Sequence, residues 1–117
     1  MTILQSNTAL PLTEMTIGTI ANALRHGQIT SVEVVKACLA RAEQGKELNI
    51  FITLDAEKAL AEAQEADEQR RNGQTMKPLS GIPIVIKDNI HTAGLRSTAG
   101  TPAFSDYIPS ADAPTVA

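Results

Sequence analysis

The sequence predicts an α/β protein in which a pair of helices precedes a strand–helix–strand unit. Two amphipathic helical patterns lie within residues 16–45. Two short apolar, β-branched segments then flank an alanine-rich helical segment within residues 49–90. Two strands joined by a helix usually pair in parallel through a right-handed crossover. We therefore expect a helical pair over residues 16–45 and a βαβ unit over residues 49–90.

Length and composition limit the class of protein. The chain has 117 residues, which suits one domain rather than two. Its formal net charge of -3 disfavours nucleic-acid binding, because phosphate-binding proteins concentrate Lys and Arg on one face. The sequence has neither a signal-peptide pattern nor a run of the ~20 apolar residues that a membrane span requires. We therefore expect a cytoplasmic protein that binds neither nucleic acid nor membrane.

The helical pair follows an irregular arm, which we expect over residues 1–15. Thr16 is suited to cap the first helix, and Thr30 with Glu33 forms a T-x-x-E capping box for the second. Cys38, the single cysteine, lies on the apolar stripe of the second helix. This position predicts a small buried side chain rather than a reactive thiol.

The βαβ unit is predicted from three consecutive segments. The stretch "NIFITLD", residues 49–55, is β-branched and aromatic and predicts a strand. Asp55 is suited to cap the following helix, on which Asp67 and Arg71 are spaced as an i, i+4 ion pair. The continuous apolar run "IPIVI", residues 82–86, then predicts a buried second strand.

Lys87 follows that apolar run directly. The carboxyl end of a parallel strand is where open α/β sheets hold ligands and catalytic groups, so the lysine is a candidate functional residue. The alternative is that Lys87 only marks the point where a buried strand meets water, and the adjacent Asp88 favours this interpretation. The pattern alone favours the solvent-exposed alternative, because the spacing supplies no catalytic partner.

Residues 91–117 are rich in Gly, Ser, Thr, Ala and Pro and predict a long loop over the same sheet edge. Near its end, Asp112 is suited to be the N-cap of a helix that is just beginning. His26 and His91 are isolated in the sequence, so we predict no metal site.

Three segments resemble the N-terminal part of the amidase signature family: "GIPIVIKDNI", "TAGLRSTAGTPAF" and "DAPTV". The resemblance covers about residues 14–117, and "LNIFITLD" and "KDNIHTAG" make it most similar to amidases of the mandelamide and indoleacetamide hydrolase type. It implies a mixed β-sheet core flanked by helices, with residues 1–117 as the N-terminal part of a single amidase domain. It also implies a Ser–cisSer–Lys triad in which Lys87 is the catalytic lysine.

The resemblance implies hydrolysis of a small-molecule carboxylic amide to acid and ammonia, without metal or organic cofactor. A neutral Lys87 would accept a proton, through one serine, from a second serine that attacks the amide. Burial beside the apolar run would favour the neutral amine. Ser97 and Thr98 are candidate residues of a loop on the substrate side, and the alternative is that they form only turn hydrogen bonds.

The serine pair of the family lies beyond Ala117, and the isolated Ser97, Ser105 and Ser110 do not replace it. We therefore expect this chain to be part of a longer enzyme and inactive alone. One alternative is a glutamine-dependent transamidase A-type subunit, and another is a non-catalytic fragment acting as a binding or assembly module. Exposed sheet edges would favour self-association or pairing with the remainder of the enzyme.

Overall fold

A computed structural model describes residues 10–117, and within this range it contains three α-helices and three short 3-10 helices. The α-helices are Ile17–Arg25 (α1), Ser31–Gln44 (α2) and Ala56–Arg71 (α3). The 3-10 helices are Leu12–Glu14, Lys46–Leu48 and Pro102–Phe104. Residues 1–9, which belong to the predicted arm, lie outside the described residues.

The starts of α1 and α2 use the caps that the sequence predicts. Thr16 Oγ1 accepts the backbone N–H of Thr19 at 3.1 Å. The capping box at α2 is confirmed, because Thr30 Oγ1 accepts the N–H of Glu33 at 3.1 Å and Glu33 Oε2 accepts the N–H of Thr30 at 2.7 Å. Each helix therefore begins where a side chain satisfies N–H groups that have no partner within the helix.

The apolar core lies between α1 and α2. Its buried centre consists of Ile20, Leu24 and Val34, and partly buried side chains pack around it: Leu12, Met15, Ile29, Cys38 and Ile82. Leu12 and Met15 belong to the predicted irregular arm, so the last part of that arm is ordered, because its apolar side chains cover the core. Burial raises the pKa of the Cys38 thiol, which agrees with a packing role for this residue.

Helix α3 packs against α2 rather than against a sheet. Its buried side chains are alanines, Ala63 and Ala66, and such small residues let two helices approach closely. The ion pair predicted between Asp67 and Arg71 is wrong: Asp67 pairs with Arg70, with 2.8 Å between Oδ1 and Nη1. Arg70 faces α2 and is partly buried, whereas Arg71 is exposed, which explains the choice.

The two predicted strands are not formed within residues 10–117, where the structure contains no β-strand. Residues 50–54 and 82–86 are irregular, and Val85 is 72% exposed. A strand is stabilised by backbone hydrogen bonds to a neighbouring strand, and the described residues supply no such neighbour to either segment. The predicted βαβ unit and mixed sheet are therefore not confirmed.

None of the helices described for residues 10–117 combines the length and apolar character that crossing a bilayer requires.

Candidate functional site around Lys87 and Asp88

Lys87 ends an irregular segment, residues 82–87, which we call the lysine segment. A turn follows it, in which the N–H of Ile90 donates to the Lys87 carbonyl at 2.9 Å. The Lys87 side chain is exposed, and so are the neighbouring Ile84 and Val85. The burial that we expected to favour a neutral amine is therefore not present in this chain, because the apolar residues beside the lysine are not covered.

The carboxylate of Asp88 is directed away from Lys87. The ion pairs formed within residues 10–117 are Lys46–Glu43, Lys58–Glu62 and Arg70–Asp67, and Lys87–Asp88 is not among them. Asp88 Oδ2 instead accepts the N–H of Thr98 at 3.0 Å, the Thr98 hydroxyl, and the N–H of Gly100 at 3.3 Å. The two neighbouring charges are thus handled by different parts of the chain.

The residues around the Asp88 carboxylate form a tight turn, which we call the 97–101 loop. Ala99 and Gly100 have positive φ angles of 50° and 69°. The left-handed conformation costs a non-glycine residue roughly 1–2 kcal/mol. The N–H of Ala99 donates to the Asp88 carbonyl at 3.3 Å, so the backbone of Asp88 also takes part in holding this turn.

These hydrogen bonds hold the pKa of Asp88 below its ordinary value of 3.8. The largest cause is the hydrogen bond from the Thr98 hydroxyl, and the backbone N–H groups of Thr98 and Gly100 and the charge of Arg96 act in the same direction. Partial burial opposes them. Asp88 is therefore ionised at neutral pH, as an acceptor of several N–H and O–H groups should be.

Ser97 and Thr98, the candidate substrate-side residues, are both buried. The Ser97 hydroxyl donates to the Ile90 carbonyl at 3.3 Å, and its N–H donates to the Tyr107 carbonyl at 2.9 Å. Thr98 is bound to Asp88, as described above. In this chain both hydroxyls form loop hydrogen bonds, which agrees with the structural alternative, and their role beside a substrate stays a prediction.

An open cleft of about 300 Å³ lies beside the 97–101 loop and is lined by Asn89, His91, Ser97, Ala99, Phe104 and Tyr107. The Tyr107 ring contacts the rings of His91 and Phe104, with centroid distances of 5.5 Å and 6.2 Å. Sequence reasoning did not identify these aromatic residues. The available signal was their concentration, because two of the three aromatic residues of the chain lie three positions apart in the loop.

Asp112 joins two parts of the final loop. Its Oδ1 accepts the N–H of Ala93 at 2.7 Å, so the predicted N-cap carboxylate is used for a contact across the loop. A single turn follows, in which the N–H of Ala117 donates to the Ala113 carbonyl at 3.1 Å. The helix predicted to begin at Asp112 is therefore represented by one turn.

Within the described part of the chain, no group of three or more His, Cys, Asp or Glu residues is arranged to hold a metal ion. His26 Nδ1 lies 2.8 Å from the Asn22 carbonyl oxygen, at the end of α1.

Comparison with known proteins assigns the class of protein. Residues 33–117 match the family model described as Amidase. The chain therefore belongs to the amidase family, and its resemblance to the amidase signature family is confirmed.

Two curated relatives illustrate the range of the match. The mandelamide hydrolase of Pseudomonas putida is 42% identical over 102 residues, covering 87% of this chain and 20% of the relative. The A-type subunit of the glutamyl-tRNA(Gln) amidotransferase from Roseiflexus sp. (strain RS-1) is 45% identical over 107 residues, covering 91% of this chain and 22% of the relative. The chain thus spans about a fifth of the length of these relatives.

A solved structure agrees with the fold. The native peptide amidase from Stenotrophomonas maltophilia superimposes with a TM-score of 0.81 at 33% identity, covering 88% of this chain and 22% of that enzyme. The arrangement of the described residues is therefore that of an amidase-signature enzyme.

Proposed function

We propose that this chain supplies the catalytic lysine, Lys87, of an amidase that hydrolyses a carboxylic amide to acid and ammonia through a Ser–cisSer–Lys triad. The observation that carries the proposal is the family match over residues 33–117, which includes the lysine segment. The match to mandelamide hydrolase supports a hydrolase acting on a small amide.

The proposed reaction begins with a neutral Lys87 amine. The amine takes a proton, through a bridging serine, from the nucleophilic serine as that serine attacks the amide carbonyl. The proton returns to the leaving nitrogen, which departs as ammonia, and water then releases the acid from the acyl-enzyme. Both serines come from outside these 117 residues, so we propose that the chain alone is inactive.

The contacts of Asp88 support this role for Lys87. An ionised carboxylate beside the ammonium group would stabilise the charged lysine and oppose proton acceptance. The Asp88 carboxylate is instead bound by Thr98 and Gly100. We further propose that pairing with the remainder of the enzyme covers Ile84 and Val85, and that this burial favours the neutral amine.

The proposal places the enzyme in the cytoplasm, without a nucleic-acid or membrane partner. It assigns no metal or organic cofactor, because the lysine amine acts as the base and a serine as the nucleophile. Ser97 and Thr98 are proposed to lie on the substrate side of the intact site.

A transamidase A-type subunit is the second candidate, because relatives named as the corresponding subunit of glutamyl-tRNA(Gln) amidotransferase match with up to 45% identity. Such a protein would act on glutamine and would need partner subunits. The third candidate, a non-catalytic binding or assembly module, is supported by the exposed apolar side chains at Ile84 and Val85.

A chimeric enzyme tests the role of Lys87. The matching segment of the Pseudomonas putida mandelamide hydrolase is replaced by this chain, and ammonia release from mandelamide is measured. We expect the chimera to be active and its Lys87→Ala variant to lose activity, while the control Lys77→Ala, an exposed lysine before the lysine segment, stays active. The 117-residue chain alone should release no ammonia above the blank.

The outcomes separate the candidates. Retained activity in the Lys87→Ala chimera contradicts the triad assignment. A folded but inactive parent chimera contradicts the amidase and favours the non-catalytic module. The same replacement in the Roseiflexus protein, with its partner subunits present and glutamine-dependent amidation as the readout, tests the transamidase.

A further inference from the structure

A set of largely buried polar contacts lies where the start of α2, the last turn of α3 and the turn before the lysine segment meet. We call it the polar junction, and it consists of Ser31, Asp67, Arg70, Ser80 and Gly81. Asp67 accepts the N–H of Ser31 at 2.8 Å and the N–H of Val32 at 3.1 Å. Thr30 accepts the next N–H of α2, that of Glu33. The free N–H groups of the first turn are thus satisfied, two of them by a residue of α3.

Arg70 connects α3 to the turn. Its Nη1 donates to Asp67 Oδ1 at 2.8 Å, while its Nη2 donates to the Ser80 carbonyl at 3.2 Å. The side chains of Arg70 and Asp67 are only 19% and 13% exposed. A planar guanidinium can serve two acceptors in different directions at once, which an ammonium group does less well.

Gly81 brings the turn into direct contact with α2. Its φ is +82°, and a Cβ at this position would lie 2.0 Å from Ser31 Oγ and 3.1 Å from Arg70 Nη2. Ser31 is fully buried there. The next residue, Ile82, packs on the apolar core. The start of the lysine segment is therefore held by polar contacts on one side and by apolar packing on the other.

We propose that Asp67 and Arg70 are positioning residues that hold the start of the lysine segment against α2. The other end of the segment is held through Asp88, which binds the 97–101 loop. Residues 83–86 are irregular, so the place and direction of Lys87 depend on these two end points. The holding of the segment is independent of the proposed function, and only its consequence for the reactivity of Lys87 rests on that function.

Distance measurements between spin labels test the proposal on the 117-residue chain. Labels are attached to cysteines introduced at Lys36 on α2 and Val85 in the lysine segment, both exposed, in a Cys38→Ala background. We expect a narrow distance distribution in the parent and a broader one in Arg70→Met. The matched control is Arg71→Met, an exposed arginine next in sequence, which should leave the distribution narrow.

A second label pair separates positioning from general loss of structure. Labels at Lys36 and Gln64, both exposed on α2 and α3, report whether the two helices stay packed. We expect this pair to stay narrow in Arg70→Met, and Arg70→Lys to give an intermediate width for the Lys36–Val85 pair. Equal widths in Arg70→Met and Arg71→Met, a parent that is already broad, or broadening of both pairs would overturn the proposal. The chimera experiment is unaffected by these results, so the two proposals fail independently.

Discussion

Thr98 donates both its side-chain hydroxyl and its backbone N–H to one carboxylate oxygen of Asp88. The two residues are ten positions apart, and Asp88 directly follows Lys87. This pair therefore ties the 97–101 loop to the residue beside the candidate catalytic lysine. Changes at Thr98 should affect the loop first and the surroundings of Lys87 second.

Thr98→Val should loosen the 97–101 loop, because valine keeps the shape of threonine and removes the hydroxyl that binds Asp88. Amide hydrogen exchange measures this, and we expect faster exchange at Gly100 and Ala99. Thr115→Val, at an exposed threonine of the final turn, is the control. Unchanged exchange in Thr98→Val would show that the backbone contacts alone hold the loop.

Lowering the pH should release the loop only under strongly acidic conditions. The pKa of Asp88 is lower in the folded chain than its ordinary 3.8, so its stabilising contribution is present above that value. It is lost as the pH falls through the lower, folded-state pKa. An NMR titration of the Thr98 amide should show a midpoint below 3.8, and Asp88→Asn should remove the transition. A midpoint above that value would contradict the hydrogen-bond arrangement, and Asp106→Asn, at an exposed aspartate, is the control.

Gly81→Ala should destabilise the chain more than Gly73→Ala. Both glycines have positive φ, +82° and +71°, but a Cβ at Gly73 meets open space whereas one at Gly81 overlaps Ser31. The backbone cost, roughly 1–2 kcal/mol, is shared by the two variants. Overpacking adds about 1–3 kcal/mol at Gly81 alone. Urea denaturation followed by circular dichroism measures the difference, and equal free energies of unfolding would show that the turn moves away from α2 at little cost.

Val85→Lys should reduce self-association of the isolated chain. Ile84 and Val85 are 63% and 72% exposed, and contiguous apolar surface of this kind favours association. Sedimentation velocity should show larger species in the parent and a shift toward monomer in Val85→Lys. Ile17→Lys changes an exposed isoleucine on α1 and should leave association unchanged. A parent that sediments as a monomer at all concentrations contradicts this prediction.

Local signals in the sequence predicted the helix ends well. The capping residues Thr16, Thr30 and Asp55 act within three positions of the N–H groups that they bind, so their effect can be read from short patterns. The amphipathic stripes of α1 and α2 likewise pointed to the apolar core. Lys87 was identified from a resemblance between motifs, which needed no knowledge of the fold.

Contacts between distant residues could not be predicted in this way. The i, i+4 rule favoured Arg71 as the partner of Asp67, but the packing of α3 on α2 directs Arg70 to it. The contact of Asp88 with Thr98 depends on a turn with a positive φ at Ala99, which alanine does not signal. The apolar runs indicate a tendency to form strands, but a strand forms only where a second strand is available to pair with it.

The contact of Asp67 with the start of α2 also sets an order of events during synthesis on the ribosome. The capping box of Thr30 and Glu33 is complete as soon as those residues have emerged. Ser31 and Val32 find their acceptor only when Asp67 follows, 36 and 35 residues later. Arg70 then arrives before Ser80 and Gly81. The helices are therefore joined first, and the lysine segment is added to a surface that already exists.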